Sequence, residues 1–510
     1  MSDRFDWHPD AGLIDVRDPA RSRMQLEALG EATWREALDW LYSEAMRRPV
    51  NGDSYPRARD RFFGIGGAPS SAPRDPTTWT DVLGEFRSRV APATFNAQHP
   101  GSFSYFTPPP LAMSIAGEAL AQWINQGVDV FHAGPVGALV EEEVVAWLLE
   151  LAGLGDEGWG VLTSGGVMAN IMALAVARDI HLGRARGLAS PPRGRDLDGT
   201  RVYASDQAHF SIGRGLDLLG FPPETLQIVA SDDRFRLSGG AVSGAIARDR
   251  AAGLTPLAIA AVAGSTNTGS VDLLGELADV CVDEGLWLHV DAAYGGAVRL
   301  SERDAPRVPD LERADTVTID PHKWFFQAYD IGALLVRRRE DLRATFHREP
   351  EYYRSGRPEG EPLHWYQYSL EGTRRFRALK LWMSWKHLGS RGMARLIEQN
   401  LDLAAYLAAR CRQEADFEAV PSEPELSVVC FRHLPAGHDD MAPERLDALQ
   451  SALQRDLEVG GEAWVSTTTL GGRTFLRAGI VNYLSSRADV DRMLEVLRRR
   501  SEGVLEQLDT

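Results

Sequence analysis

Residues 316–324 of this 510-residue chain read TVTIDPHKW, an alternating apolar strand stopped by a proline and followed by adjacent His322 and Lys323. A primary amine delivered at a strand end is well placed for Schiff-base chemistry with a carbonyl. The choice of amine is short, because of 55 basic residues only Lys323, Lys380 and Lys386 are lysines. The last two fall in RRFRALKLWMSWKHLG, whose periodicity predicts an amphipathic helix with solvated or snorkelling lysines. Taken singly, Lys323 also reads as a surface lysine after a strand.

Four other stretches place polar residues after apolar runs. LTSGGVMAN (162–170) is a strand, a Ser164-Gly165-Gly166 turn and a helix start, a backbone that closes on an anion. LWLHVDAAYGG (286–296) delivers Asp291, able to hold a protonated ring nitrogen, and Ala293, which leaves flat space for an aromatic ring. YASDQAHFS (203–211) sets His209 beyond a third strand, where an imidazole can stack on a ring, and AGSTNTGS (263–270) offers Thr266 to a ring substituent. Each has a plain reading of its own: two glycines in a turn, Asp291 as a cap, His209 as a structural histidine, Thr266 bonding its own turn. Together with Lys323 they supply an anion cradle, a pyridinium partner, a ring stack and an amine, which is what pyridoxal 5'-phosphate requires.

The elements that must position these groups are short strands alternating with helices between about 160 and 340. The strands are expected at Val161–Leu162, Val202–Ala204, Gln227–Val229, Leu257–Val262, Leu286–Val290, Val317–Ile319 and Ala333–Val336. The pattern predicts an α/β fold with a mostly parallel seven-stranded sheet, whose strand ends are where ligands bind. Three domains are expected: a helical N-terminal segment (1–110), a large α/β domain (111–390) and a small C-terminal α+β domain (391–510). In the first, helices at 22–47 and Trp79–Val90 flank 54–76, which is rich in Gly, Pro, Ser and Arg and reads as an extended arm. Such a piece makes a poor core and is expected to pack on another surface, such as a second subunit. Helices at 111–125 and 138–153 follow, the second with Glu141–Glu143 near its start, where the helix dipole favours acids. The C-terminal part reads as helices at 391–413, 443–457 and 487–506 around strands Glu425–Phe431 and Phe475–Ile480.

A net charge of −17 argues against a nucleic-acid surface. The N-terminus lacks an apolar signal core, and no apolar run approaches the ~20 residues that span a bilayer. Cys281, Cys411 and Cys430 have no paired spacing, and no metal-ligand cluster stands out. The expectation is a cytoplasmic enzyme of small-molecule metabolism, without a metal.

DPHKW, HVDAAYGG, SDQAHFS and TSGGVMAN resemble the motifs of the group II pyridoxal-phosphate-dependent amino-acid decarboxylases, which include aromatic-L-amino-acid and glutamate decarboxylases. The resemblance runs from about Met24 to about Arg498. It implies a type I aminotransferase-like fold and a homodimer with active sites at the interface. It also implies that Lys323 carries the coenzyme, Asp291 meets its ring nitrogen and His209 stacks on it. Ser164, Gly165, Gly166, Asp320 and His322 are implied around the phosphate. REPEYYRSG (348–356) resembles the family's mobile loop and puts Tyr352, with Tyr353 beside it, where a proton is returned to the substrate carbon after CO2 leaves. Family members with phenylalanine there tend to make aldehydes. Arg477 in FLRAGIVN matches an arginine that meets the substrate α-carboxylate, or is a surface arginine near a strand.

For the substrate, Phe103, Tyr105, Phe106, Phe131 and Trp324 suggest an aromatic pocket, or ordinary core. Asp129 in NQGVDVFHAGP resembles microbial decarboxylases of diamino acids, where an acid pairs with a side-chain ammonium. The balance is toward an aromatic substrate. A transaminase or aldehyde synthase on the same fold, and a cofactor-binding regulatory module, are the other readings.

Overall fold

Seven strands, Trp159–Thr163 (β1), Thr200–Ser205 (β2), Leu226–Val229 (β3), Thr255–Val262 (β4), Trp287–Asp291 (β5), Thr316–Ile319 (β6) and Gly332–Val336 (β7), form one sheet ordered β1-β7-β6-β5-β4-β2-β3. This is a computed structural model, and it describes residues 19–43, 48–348 and 362–508. Strands β1, β5, β6 and β7 are buried along their whole length, as their near-continuous apolar runs require of a sheet covered on both faces. The four pairings from β3 through β6 are parallel, while β7 is antiparallel to both β6 and β1. Two antiparallel steps restore the direction, so β1, β2, β4, β5 and β6 all finish at the same edge, and β7 begins there. All seven expected strands are present, and the mixed, mostly parallel α/β architecture is the one expected.

The chain divides into two compact units. One holds the sheet, the helix Ala378–Gln413 (broken at Gly389, φ +66°) and most of a second, four-stranded sheet, within residues 104–436 and 468–483. That small sheet is ordered β10-β11-β9-β8, with Phe417–Ala419 (β8), Val428–His433 (β9), Ser466–Leu470 (β10) and Arg473–Gly479 (β11). The other unit holds the described residues up to Phe103 with 437–467 and 484 onward, where helices Pro443–Gly460 and Arg487–Leu508 pack on each other. These boundaries fall elsewhere than 110 and 390, because the C-terminal helices group with the N-terminal segment and the small sheet does not.

Within the N-terminal segment, Tyr55–Phe63 is a helix where an extended arm was expected. Apart from Ser54 at the N-cap, the glycines and serines that lower the average of 54–76 lie after Phe63, and YPRARDRFF itself carries proline only in the first helical turn, where it is tolerated. The first helix runs Pro19–Leu41 and ends short of the expected 47.

Helix Pro135–Ala152 starts three residues earlier than expected, so Glu141 is beyond its first turn and serves the sheet instead. β1 is an edge strand, and Leu162 there lacks a neighbour for its outward backbone groups. Glu141 Oε1 accepts from Leu162 N (3.0 Å), and Arg374 Nη2 donates to Leu162 O (2.8 Å). Arg374 and Glu141 pair with each other, and both side chains are buried. Lys380 corrects a second expectation: it is buried, not solvated. Its face of the helix packs on helix Ala112–Ile124, where a Cβ on Gly117 would stand 2.6 Å from Lys380 Cα. Its amine donates to Glu118 (2.8 Å), and burial pulls its pKa down to about 7. Lys386 is half exposed and pairs with Glu143.

Removing one member of the Glu141–Arg374 pair leaves a charge stranded beside β1. Arg374→Ala is expected to cost about 3–5 kcal/mol of stability in denaturant unfolding, and a loss below about 1 kcal/mol would contradict this role.

Candidate active site

The edge where β1, β2, β4, β5 and β6 finish opens on a cavity of about 370 Å³, the size of a small-ligand site. Its lining gathers every cofactor-binding residue expected from the sequence: Ser164, Gly165, Gly166, His209, Thr266, Asp291, Ala293, Asp320, His322 and Lys323. The parallel sheet is the reason, since each of these residues is the last of a strand or follows one within a few positions.

After β6 the chain turns so that Lys323 N bonds Asp320 O, and Lys323 Nζ lies 3.2 Å from Asp320 Oδ2. His322 is buried, takes Ile331 N on Nδ1 at 3.3 Å, and has its pKa lowered chiefly by burial, so near neutral pH it is the uncharged ring. After β1, Gly165 adopts φ +153°, which an L side chain disfavours, and a Cβ there would stand 3.1 Å from His322 Cε1. A Cβ on Gly166 would stand 2.9 Å from Asp320 Oδ2. Bare backbone is therefore required, and it leads into helix Gly166–Val176, whose first N–H groups have no partner within the helix.

Asp291 ends β5, with Oδ1 taking Ala293 N (3.1 Å) and Oδ2 taking Asn170 Nδ2 (2.7 Å). His209 Nδ1 bonds Ser211 Oγ at 2.8 Å, and burial lowers the histidine's pKa against the opposing pull of Asp291. Thr266 lines the cavity, and its carbonyl takes Arg477 Nε at 2.8 Å.

The residues expected to meet the substrate are placed differently. Phe106 stacks on the cavity-lining Tyr294 with centroids 4.2 Å apart, and Lys323 Nζ lies 5.9 Å from the Phe106 ring centre. Arg477 stands behind Phe106, buried, with its guanidinium 4.9 Å from that ring and Nη1 donating to Ser104 O (2.8 Å). Tyr105 is exposed and does not line the cavity. Asp129 and Phe131 sit beside His364 and Tyr366: Tyr366 N donates to Asp129 O, and Phe131 N to His364 Nδ1. Trp324 is core, stacked on Tyr294 and donating to Asn400, and Phe103 is buried in the other unit. Tyr352 and Tyr353 lie outside the described residues.

Sequence reasoning passed over Asn170, Ser211, His289, Thr318, Tyr294 and Gly332. One signal was available: in strands expected to be buried, LHVD and TVTI put polar residues at every second position, which a buried face does not allow without partners. Gly332 has no such signal, because its neighbours come from β1 and β6.

A lysine amine, a carboxylate and a glycine turn at a helix N-terminus share one cavity, and the cradle's close backbone approach at Gly165 and Gly166 leaves room for an anion that side chains would fill. The donor set fits pyridoxal phosphate on the mostly parallel α/β sheet that its enzymes use. The comparisons agree: residues 65–434 match the pyridoxal-dependent decarboxylase conserved domain, and the chain belongs to that family of pyridoxal-phosphate-dependent amino-acid decarboxylases. It is 33% identical over 406 residues to the aromatic-L-amino-acid decarboxylase of Bacillus atrophaeus, covering 79% of this chain and 81% of that one. It is 32% identical to the L-2,4-diaminobutyrate decarboxylase of Rhizobium meliloti, covering 78% and 77%. The crystal structure of Oryza sativa TDC with PLP and tryptamine superposes with a TM-score of 0.86 at 26% identity, covering 96% of this chain and 99% of that one.

A Cβ on Gly332 would stand 2.5 Å from Gly165 Cα and 2.7 Å from Asp320 Oδ1. Gly332→Ala is expected to push the cradle out of shape and weaken pyridoxal phosphate binding at least about tenfold in an absorbance titration, in line with an overpacking cost of ~1–3 kcal/mol. Unchanged affinity would contradict the cradle assignment.

Proposed function

We propose that the chain decarboxylates an aromatic L-amino acid to the corresponding amine, working as a homodimer whose second subunit completes each site. The observation that carries the aromatic reading is Phe106, stacked on Tyr294 and 5.9 Å from the Lys323 amine, which sets a flat apolar surface beside the reacting atoms. The two carboxylates of the cavity lining are already engaged: Asp291 with Asn170 and Ala293, and Asp320 with Lys323. Lys323 meets only Oδ2 of Asp320, and the buried Oδ1 has no hydrogen-bond partner among the described residues. The Bacillus relative supports the aromatic class. The alternative, a diamino acid, rests on Asp129 and on the Rhizobium relative.

Bound pyridoxal phosphate supplies a ring that accepts the electron pair released when the Cα–carboxylate bond breaks. The chain's residues do the rest. Lys323 would be the amine that holds the coenzyme covalently. Asp291 would hold the proton on the ring nitrogen, the Ser164-Gly165-Gly166 turn with His322 would receive the phosphate, and Thr266 would offer its hydroxyl to a ring substituent. His209 and Ala293, both in the cavity lining, would be the residues that take the ring between them. Arg477 ties Ser104 to Thr266 and holds Phe106 from behind. By the family resemblance, Tyr352 would be the group that returns a proton to the substrate Cα after CO2 leaves.

Exposed apolar side chains on helix Ala112–Ile124 (Ile115, Leu120, Trp123, Ile124) and on helix Pro135–Ala152 (Val136, Leu139) support the homodimer. No helix among the described residues is long and apolar enough to cross a membrane, and Cys281, Cys411 and Cys430 are all buried.

The test is incubation of the coenzyme-loaded chain with the standard amino acids, diaminobutyrate and ornithine, scoring CO2 and amine. Amine and CO2 in equal amounts from an aromatic amino acid are expected, with Tyr352→Phe diverting product toward aldehyde. Turnover of diaminobutyrate alone would contradict the aromatic reading, and undiminished amine from Tyr352→Phe would remove that residue from the proton step.

A further inference from the structure

Asn170, fully buried on helix Gly166–Val176, lies across the ends of β5 and β6. The register there pairs His289 with Thr316 and Asp291 with Thr318, and the two-residue strand period sets all four on one face. One amide meets this face and helix Ser211–Leu218 at once. Nδ2 donates to Asp291 Oδ2 (2.7 Å) and to Ser211 Oγ (2.8 Å). Oδ1 accepts from Thr318 Oγ1 (2.7 Å) and meets His289 Nε2 at 3.1 Å.

The direction of every bond in this chain follows from its ends. A carboxylate only accepts, so the amide nitrogen faces Asp291 and the amide oxygen faces the strands. Trp287 Nε1 only donates, and it gives its proton to Thr316 Oγ1 (3.1 Å), leaving the Thr316 hydroxyl proton for His289 Nδ1 (3.1 Å). Burial keeps His289 uncharged, so its single ring proton sits on Nε2 and points at Asn170. On the other arm Ser211 accepts from Asn170 and passes its hydroxyl proton to His209 Nδ1. The Ser211 backbone N–H approaches the same nitrogen at 3.4 Å, which again makes Nδ1 the acceptor. His209 is left with its proton on Nε2.

We propose that Asn170 is a positioning residue for the coenzyme: a single amide aims Asp291 into the cavity and, through Ser211, fixes which ring nitrogen of His209 carries the proton. This rests on the assignment of Asp291 and His209 to the pyridoxal phosphate site and adds the group that orients both. A carboxamide is the group the position requires, because it presents two donors to the carboxylate and serine while taking two donors on its oxygen, and asparagine brings it there with the shorter stem. Aspartate there would set like charge against Asp291, and an apolar residue would leave Asp291, Thr318 and His289 short of a partner.

The experiment uses the full chain titrated with pyridoxal phosphate, followed by the visible absorbance of the bound coenzyme, with kcat and KM measured on the loaded protein. Asn170→Ala and Asn170→Asp are expected to weaken coenzyme binding about tenfold or more and to shift its absorbance maximum. Ser211→Ala, which cuts only the arm to His209, is expected to keep coenzyme affinity within about threefold while lowering kcat about tenfold. Where the Asn170 variants do not fold, Thr318→Val removes one donor to the same amide oxygen, and a measurable loss of affinity is expected from it. Wild-type affinity and spectrum in Asn170→Ala, or in Thr318→Val where it stands in, would overturn the inference. So would a Ser211→Ala variant with unchanged kcat. Asp291→Ala separates the two readings: if it too binds the coenzyme normally, the site assignment has failed, and if it alone loses the coenzyme, only the role of Asn170 has failed.

Discussion

The direction of the strands is the constraint on which this molecule's chemistry depends. β1, β2, β4, β5 and β6 all finish at one edge of the sheet, so groups up to 159 positions apart in sequence, from Ser164 to Lys323, line one cavity. β7 is the exception that completes the arrangement. By running the opposite way between β6 and β1, it brings Gly332 under the glycine turn and lets β1 point the same way as β6. An extra Cβ at any of three glycines, Gly165, Gly166 or Gly332, would close the approach of these segments.

That cavity holds two buried carboxylates, and what separates their tasks is the partner each is given. Asp320 sits against Lys323 and the His322 ring, while Asp291 is fastened by an amide and a backbone N–H. Burying charge is costly unless it is paired and hydrogen-bonded, so the polar chain through Asn170, His289, Thr318 and Thr316 is what permits an acid at the end of a fully buried strand. The same principle operates at the sheet's edge, where Glu141 and Arg374 take up the backbone groups of Leu162 that no strand covers.

Much of this was legible in the sequence. Strands betray themselves by short apolar runs, and the residues just past them, Lys323, Asp291, His209, Thr266 and the Ser164-Gly165-Gly166 turn, converge because a parallel sheet converges them. The elements that escaped depend on tertiary contact. Lys380 read as solvated because the packing of its helix on Gly117 and its neighbours is invisible in a single periodic stretch. The helix Tyr55–Phe63 was hidden by averaging over the glycines that follow it. Arg477 matched a substrate-facing position, yet the closeness of Phe106 and the carbonyls of Ser104 and Thr266 holds it behind the wall. Asn170 closes the LTSGGVMAN stretch, which read only as a turn and a helix start, and the register of β5 against β6 is what gives its amide a purpose.

The chemistry of the cavity turns on which lysine carries the coenzyme. Borohydride reduction of the pyridoxal-phosphate-loaded chain, followed by peptide mapping, asks this of Lys323, Lys380 and Lys386 together. Lys380 is a real competitor, because burial brings its amine down to about 7, but it faces Glu118 and does not line the cavity. The label is expected on the peptide containing Lys323 alone. A label on Lys380 or Lys386, or none on any lysine, would contradict the account.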